Sequence, residues 1–443
     1  MPFPASERKK YLDSIKSDPS NKVSTIQLAY KDDPRFKVDV YEVELKYLIF
    51  NQFNDRIAVE VETEDALSPG KPIPEYTEEL EKKIMNFLWG INPARNKETL
   101  EDLEKKGQIE AGVVTADGVI VNGNRRAMLL KRGQKGIFKA AILPDEFAGN
   151  VDWIRRLETE LQFNVDRQLE YEPLAKYLKV KHLHDDSNIE FSDIANMMNQ
   201  KKPEIEKWYG IMQLMDEYLE NIGSPGIYTL LRIGDTSSSK EEAFIQTYTQ
   251  LQQIKSQKVK VDWPYDDVKD ARKYQQIMFD LIRAESLGSP QDYRLVGVKG
   301  GSDGPGVFAD KDLFQEMYDK HKRIVNEPNQ NLPELEEYRN MPECEHYTLA
   351  ELSHRREADW KSNVQKLLGD NFREFTGKRK TKVESLGPTI RIDKALTELQ
   401  LISEDDITDD EFLDNDLVQN QVKMISKIIE KIKRNFERNK EKE

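Results

Sequence analysis

The sequence predicts an α+β fold in which a small mixed-sheet domain is followed by a predominantly α-helical remainder. Up to about residue 165, short β-branched segments alternate with amphipathic ones, which is typical of strands and helices that build one domain. From about residue 190 onwards, helical spacing dominates. A charged fraction of 33%, a hydrophobic fraction of 37% and a mean hydropathy of -0.74 agree with a polar, helix-rich protein.

The N-terminal elements can be predicted in order. The first 35 residues are polar and interrupted by prolines, so we expect a loosely attached arm with one short helix at residues 6–17. Val, Tyr, Leu and Ile dominate residues 38–50, which predicts the first strand. Residues 77–89 have the spacing of an amphipathic helix, and a further helix is expected to begin near Asn92 and to end at Gly107.

A two-stranded ribbon is predicted at residues 113–122, where valines flank Asp117-Gly118, a strong hairpin signal. A glycine and three polar residues then open a helix: Gly123, Asn124, Arg125 and Arg126. Glycine permits a sharp turn, so amides of the first helical turn point outward beside two guanidinium groups, which can bind phosphate oxygens bidentately. The segment therefore predicts an anion site, and the alternative is a surface hairpin with solvated arginines.

The elements that follow the ribbon are increasingly helical. Residues 137–143 predict a strand, and residues 151–163 and 169–182 predict helices. Residues 190–222 predict two helices around a polar break at 199–202. Two short helices joined by a tight polar turn are typical of a helix-turn-helix.

The C-terminal half is mostly helical as well. The glycine-rich residues 294–306 lack the Gly-Lys-Ser/Thr ending of a phosphate-binding loop, so we expect a flexible loop there. Residues 326–333 are expected to form a linker. An acidic belt at 404–416 precedes a basic amphipathic helix at 418–440, which indicates either a solvated tail or a self-association helix.

These signals divide the chain into five predicted regions. They are an N-terminal arm at 1–35, the mixed-sheet domain at 36–182, a helix-turn-helix-like region at 183–225, a helical region with the glycine-rich loop at 226–330, and a helical C-terminal region with the acidic belt and the basic helix at 331–443.

Composition excludes several classes of protein. Cys344 is the only cysteine, so intramolecular disulfides and cysteine-rich metal sites are excluded, and the five histidines lack the spacing of a zinc protease. No apolar run approaches the length of a membrane span and no signal peptide is visible, so we expect a cytoplasmic protein without a membrane partner. A net charge of -14 opposes nonspecific nucleic-acid binding across the whole surface but allows a local basic patch.

Four short motifs resemble those of the ParB/sulfiredoxin-like nucleotide-binding domain, in the order that this family uses. They lie at residues 51–57, 99–108, 123–127 and 164–167. The family's Gly-Glu-Arg-Arg is similar to Gly123-Asn124-Arg125-Arg126, and its Glu-Asn-x-x-Arg is similar to residues 163–167. The helix-turn-helix pattern that follows resembles ParB in particular. The resemblance covers roughly residues 38–222, which is less than half of the chain.

The resemblance implies a bound nucleoside triphosphate, either CTP or ATP, together with Mg²⁺. The residues implied to bind the nucleotide are Asn51, Asn54, Arg56, Gly123, Asn124, Arg125, Arg126 and Arg167. Asn164 is implied to place the magnesium ion. Phe163 stands where the family has a glutamate, so one oxygen ligand is missing unless Glu160 or Asp166 supplies it. Slow hydrolysis of CTP or ATP is therefore left open.

The central turn differs from the enzymes of the same fold. Sulfiredoxin has a cysteine in a Gly-Cys-His-Arg motif, where this chain has Asn124, so sulfiredoxin chemistry is excluded. The free-serine kinases have a turn similar to Asp-Gly-His-x-Arg, whereas residues 122–126 offer neither a carboxylate nor an imidazole as a base. These differences favour phosphate binding over catalysis at the turn.

The leading hypothesis is a ParB-like, nucleotide-dependent DNA-binding protein. Lys201, Lys202 and Lys207 would meet DNA phosphates at the start of the second helix of the pair. Residues 191–223 carry these three lysines against six acidic residues, so a helix pair that serves packing alone is the alternative. Two other hypotheses are an enzyme of the same fold, as a nucleotide hydrolase, kinase or metal-dependent nuclease, and a protein-interaction module with a vestigial nucleotide site. A homodimer is left open.

Overall fold

The computed structural model describes residues 2–30, 33–68, 75–145, 151–163, 173–232, 240–257, 261, 263–299, 304–400, 402 and 415–440. The chain divides into two compact units, Met1–Thr376 and Gly377–Glu443. The five predicted regions stay a prediction. In the described ranges, no helix combines the length and the apolar character needed to cross a membrane.

The N-terminal part of unit Met1–Thr376 contains a six-stranded mixed sheet. Its strands are β1 (Lys22–Tyr30), β2 (Asp33–Glu44), β3 (Ile49–Phe50), β4 (Gly112–Val114), β5 (Val119–Asn122) and β6 (Ile137–Ile142), in the order β1-β2-β6-β4-β5-β3. The pairs β1/β2, β2/β6 and β4/β5 are antiparallel, and the pairs β4/β6 and β3/β5 are parallel. Together with the helices that follow, the mixed sheet confirms the predicted α+β class.

Helices cover both faces of this sheet. They are α1 (Ala5–Lys16), α2 (Ala58–Leu67), α3 (Glu78–Gly90), α4 (Pro93–Lys106), α5 (Asn124–Arg132) and α6 (Val151–Phe163). One face of the sheet packs against Leu12 of α1, Ile84 of α3 and Met128 of α5. The opposite face packs against Ile154 and Leu157 of α6. Because both faces are buried, α5 and α6 are held at fixed positions relative to the strands between them.

The N-terminal residues differ from the loose arm that the sequence predicts. Helix α1 buries Leu12 under the sheet, and β1 pairs with β2 as an edge strand. Strand β2 begins at Asp33 rather than at residue 38 and ends at Glu44, before a 3₁₀ turn at Leu45–Tyr47. Because side chains alternate between the two faces of a sheet, Leu28 of β1 is also buried.

The rest of this unit is helical. Its helices are α7 (Pro173–Lys181), α8 (Phe191–Met197), α9 (Lys202–Asn221), α10 (Glu241–Lys255), α11 (Lys269–Arg283), α12 (Lys311–Gln330), α13 (Leu335–Arg339) and α14 (Leu349–Gln400), the last of which continues beyond Thr376. All of them except α13 share one large apolar core that includes Tyr218, Phe244, Phe308 and Trp360. Tyr338 of α13 packs in a separate small cluster with Cys344 and Leu352. The linker predicted at 326–333 is wrong, because α12 continues through Pro328 to Gln330.

The glycine-rich segment and the C-terminus are only partly described. Residues 290–296 form a 3₁₀ helix and Lys299 bridges to Pro305, while residues 300–303 lie outside the described residues. The basic helix predicted at 418–440 is confirmed as α15 (Asp416–Lys440). Most of the acidic belt lies outside the described residues.

Candidate functional site

The predicted strand–turn–helix at Gly123 is present. Strands β4 and β5 form the expected antiparallel ribbon, with Val113 opposite Asn122. Gly123 has φ of 98°, and a Cβ at this position would lie 2.9 Å from Cζ of Phe138 and 3.4 Å from Cα of Gly112. Both the backbone conformation and the close approach require glycine. The chain can therefore turn directly from β5 into α5.

Asn124, the first residue of α5, is buried beneath the neighbouring loop. Its side-chain Oδ1 accepts the backbone N–H of Asn51 at 3.0 Å, and its Nδ2 donates to the carbonyl of Ile120 at 2.9 Å. Only 3% of Asn124 is exposed. The side chain therefore joins the start of α5 to the loop after β3.

The two arginines of the turn contact different parts of the chain. Arg125 donates from Nε to Oδ1 of Asn96 on α4 at 2.7 Å and from a terminal nitrogen to Oγ1 of Thr99 at 3.2 Å. Arg126 donates to the carbonyl of Glu110 at 2.9 Å and to its carboxylate at 2.7 Å. The guanidinium groups thus flank the turn on two sides, and a carboxylate already contacts one of them.

The loop at residues 51–57 lies beside this turn. Strands β3 and β5 are parallel neighbours, so their carboxyl ends share one edge of the sheet. Oδ1 of Asn51 accepts the N–H of Phe53 at 3.0 Å, and Oδ1 of Asn54 accepts the N–H of Arg56 at 3.2 Å. Asn51 and Asn54 are buried, whereas Arg56 is half-buried. The first and third sequence motifs are therefore brought together.

A buried carboxylate that the sequence did not single out completes the arrangement. Glu158 of α6 is fully buried, and its two carboxylate oxygens accept Nδ2 of Asn51 at 3.2 Å and Nδ2 of Asn54 at 2.5 Å. The sequence could have indicated this burial, because Glu158 follows the buried Ile154 by four residues and so shares the apolar face of α6. Two residues further along, Glu160 is half-buried, and burial raises the pKa of its carboxyl group.

An apolar cavity borders the same loop. It measures about 170 Å³ and is lined by Phe50, Phe53, Tyr76, Ile154 and Arg155, among others. The hydroxyl oxygen of Tyr76 accepts the backbone N–H of Phe50 at 3.0 Å, and burial raises the pKa of this hydroxyl. The loop after β3 therefore borders both the glycine turn and an apolar cavity.

The fourth motif lies largely outside the described residues. Helix α6 ends at Phe163, and Asn164, Asp166 and Arg167 lie outside the described residues. Across the residues with described positions, no group of three or more His, Cys, Asp or Glu side chains could hold a metal ion. Asn164 as a magnesium ligand and Arg167 as a phosphate ligand stay predictions.

The two helices predicted between residues 190 and 222 are confirmed as α8 and α9. Asn199, with φ of 50°, turns the chain between them. The predicted inward residues Ile194, Ile205 and Met212 are buried. At the start of α9, Lys201 and Lys202 are exposed and Lys207 is half-buried, and Nζ of Lys202 lies 3.6 Å from the carboxylate of Glu206.

A buried ion pair connects the loop after β3 to the helical part of the same unit. Nζ of Lys179 on α7 lies 3.1 Å from Oδ1 and 3.0 Å from Oδ2 of Asp55, and it donates to the carbonyl of Arg155 at 3.2 Å. The two side chains are only 1% and 6% exposed. The loop next to the glycine turn is therefore tied to α7 as well as to α6.

Comparison with known proteins gives matches among solved structures. No family model and no sequence of a curated protein matches the chain. The C-terminally truncated chromosome-partitioning protein ParB from Caulobacter crescentus, in complex with the centromeric parS site, is 13% identical, with a TM-score of 0.28 over 58% of this chain and 97% of that chain. The same protein in complex with CTP-gamma-S is 16% identical, with a TM-score of 0.15 over 47% of this chain and 98% of that chain. Both belong to the family that the sequence motifs resemble.

Proposed function

We propose that this chain is a nucleotide-dependent DNA-binding protein that holds a nucleoside triphosphate at the turn of Gly123. One observation carries the proposal: the hydrogen bond between Asn51 and Asn124 joins the loop after β3 to the start of α5, where two arginines flank the turn. The amides of a helix N-terminus and the helix dipole both favour an anion. The motif resemblance adds that this anion is the phosphate chain of CTP or ATP.

The proposed roles differ among the residues of the site. Gly123 lets the phosphates approach the backbone, and Arg125, Arg126 and Arg56 contribute positive charge. Asn51, Asn54 and Asn124 shape the loop and the turn, because their amides are hydrogen-bonded within the chain.

Two residues of the fourth motif would complete the nucleotide site. Arg167 would add a further phosphate contact. The triphosphate would supply most oxygen ligands of Mg²⁺, with Asn164 as the protein ligand that the motif implies.

Isothermal titration with each of the four nucleoside triphosphates and Mg²⁺ tests the nucleotide site. We expect one of them to bind, and Arg126→Ala to weaken its binding by about 10- to 100-fold, because a hydrogen bond to a charged group contributes about 1.5–3 kcal/mol. Arg132→Ala is the matched control, since Arg132 lies at the opposite end of α5 and contacts Asn86. Absence of binding by the wild-type protein would exclude the nucleotide site.

Hydrolysis is tested separately, by phosphate release from the bound nucleotide with and without DNA. We propose binding rather than turnover, because the turn has no carboxylate or imidazole among residues 122–126. Steady release that does not respond to DNA would favour the alternative of an enzyme of the same fold.

The exposed start of α9 is the proposed DNA contact. Lys201→Ala/Lys202→Ala removes two charges that can neutralise phosphates, so we expect weaker DNA binding and a salt dependence that is shallower by up to about two units of slope. Lys105→Ala/Lys106→Ala on α4 removes the same charge from exposed side chains and serves as the control. Unchanged affinity in the first variant would move the DNA contact elsewhere, for instance to the basic residues 378–382.

A further inference from the structure

Glu158 lies at the centre of a buried polar network that joins three distant stretches of sequence. It is fully buried on α6, and its carboxylate accepts side-chain amides of Asn51 and Asn54, which are 107 and 104 positions away. Both asparagines are at least nine-tenths buried as well. An enclosed carboxylate is retained only where hydrogen-bond donors replace water, so the two amides and the carboxylate depend on each other.

The network extends from Glu158 to the glycine turn in two steps. The hydrogen bond from Nδ2 of Asn51 to the carboxylate fixes the orientation of the Asn51 side chain. The backbone N–H of Asn51 donates to Oδ1 of Asn124. Asn124 in turn donates to the carbonyl of Ile120 in β5. At the other end of the loop, the carboxylate fixes the side chain of Asn54 in the same way, and Oδ1 of Asn54 accepts the N–H of Arg56.

We propose that Glu158 is the positioning residue of the nucleotide site, which fixes the spacing between the loop at residues 51–56 and the start of α5. This inference rests on the proposed function and assigns Glu158 no contact with the nucleotide. Its oxygens accept two amides that must both point towards α6, which no neutral side chain of similar shape can do, since a glutamine would offer one acceptor and one donor. Loss of the second acceptor would turn Asn51 or Asn54 away and loosen the turn.

The test compares Glu158→Gln with the reciprocal variant Asn51→Asp/Glu158→Gln. In the single variant, the NH2 group at position 158 faces the NH2 group of Asn51 or Asn54, and neither NH2 group can accept a hydrogen bond from the other. In the reciprocal variant, a carboxylate at position 51 accepts that amide, while Asn54 keeps its acceptor at position 158. The two variants therefore differ in hydrogen-bond pairing and hardly at all in volume.

Two measurements are made on the full chain. Hydrogen exchange of peptides that cover residues 49–57 and 120–127 reports the local structure, and isothermal titration with the nucleotide that binds the wild type reports affinity. We expect Glu158→Gln to accelerate exchange in both peptides and to raise the Kd, each by at least about tenfold. The reciprocal variant is expected to return the exchange of both peptides to within about threefold of the wild type.

A matched control separates positioning from general loss of stability. Glu357 is a largely buried carboxylate that accepts two N–H groups of Arg283, between α11 and α14. Glu357→Gln should lower stability and leave the Kd and the exchange of the two peptides within about twofold of the wild type.

Each outcome decides the proposal. Wild-type exchange and affinity in Glu158→Gln, or failure of the reciprocal variant to restore wild-type exchange, overturns it. If Glu158→Gln does not fold, the reciprocal variant decides the proposal alone. The proposal then requires that this variant folds and that its two peptides exchange like those of the wild type. If the wild type binds no nucleotide, the proposed function fails, while hydrogen exchange still tests whether Glu158 positions the turn.

Discussion

At the scale of single residues, the contact between Arg126 and Glu110 has a direct consequence for ligand binding. The carboxylate of Glu110 lies 2.7 Å from a guanidinium nitrogen that we assign to phosphate, and the two side chains are 50% and 20% exposed. A phosphate that contacts the same nitrogens must compete with this carboxylate. The free protein therefore holds Arg126 in an ion pair that opposes binding.

We accordingly predict that Glu110→Gln tightens nucleotide binding. An exposed ion pair contributes about 0.2–1 kcal/mol, so we expect the Kd to fall by up to about fivefold, with a larger effect at low salt. Titration at two salt concentrations measures both quantities. Glu101→Gln removes the same charge from an exposed pair with Lys105 and should leave the Kd unchanged. A weaker complex in Glu110→Gln would mean that Glu110 supports the site rather than competes with it.

At the scale of elements, the pair of Lys179 and Asp55 connects α7 to the loop after β3. Both charged groups are almost completely buried, so removal of one partner leaves the other without compensation. We predict that Lys179→Met lowers the free energy of unfolding by about 3–5 kcal/mol, measured by urea denaturation. Lys181, on the same helix as Lys179, forms a more exposed pair with Asp216 of α9, so Lys181→Met should cost about 1 kcal/mol or less.

A double-mutant cycle distinguishes this pair from simple packing. Because an apolar pair of similar volume can replace a buried ion pair, Lys179→Met/Asp55→Leu should recover most of the loss in Lys179→Met. Additive losses in the double variant would contradict a direct interaction between the two side chains.

The elements also show how far the sequence could predict this structure. Local signals were sufficient for α4, which Asn92 caps through the N–H of Arg95 and which ends at Gly107 with φ of 71°. They were also sufficient for the turn at Gly123. Edge strand β1 was missed, because its pairing with β2 depends on which residues become buried on the sheet, and because the exposed Val23 is out of phase with the alternation of Ile26 and Leu28.

Long-range partners explain what the sequence could not predict about the site. The motif indicated that two arginines would act together, yet Arg125 contacts Asn96 and Arg126 contacts Glu110, which come from different segments. The sequence also did not single out Glu158, which is buried because two asparagines more than 100 positions away supply its donors. Such contacts depend on tertiary packing rather than on local spacing.

At the scale of the whole molecule, the buried residues are distributed unevenly along the chain. Among the described residues, the last buried hydrophobic side chain is Phe375, one residue before the boundary of the first unit. In α15 the apolar side chains of Val422, Ile428 and Phe436 are exposed. Among the residues that the structure describes, the apolar burial that stabilises the fold therefore lies within Met1–Thr376.

We predict that a chain truncated after Thr376 folds and keeps its stability. Because no described buried side chain is lost, its thermal midpoint should lie within about 3 °C of the full chain, measured by circular dichroism at 222 nm. A chain truncated after Asp359 is the control, since it also loses the buried part of α14: Trp360, Val364, Leu368, Phe372 and Phe375. Several large core side chains would then be missing, each worth about 2–5 kcal/mol, which exceeds the margin of a typical fold, so we expect the shorter chain to unfold. A full-chain midpoint in the shorter chain, or non-cooperative unfolding of the longer one, would show that stability is distributed differently along the sequence.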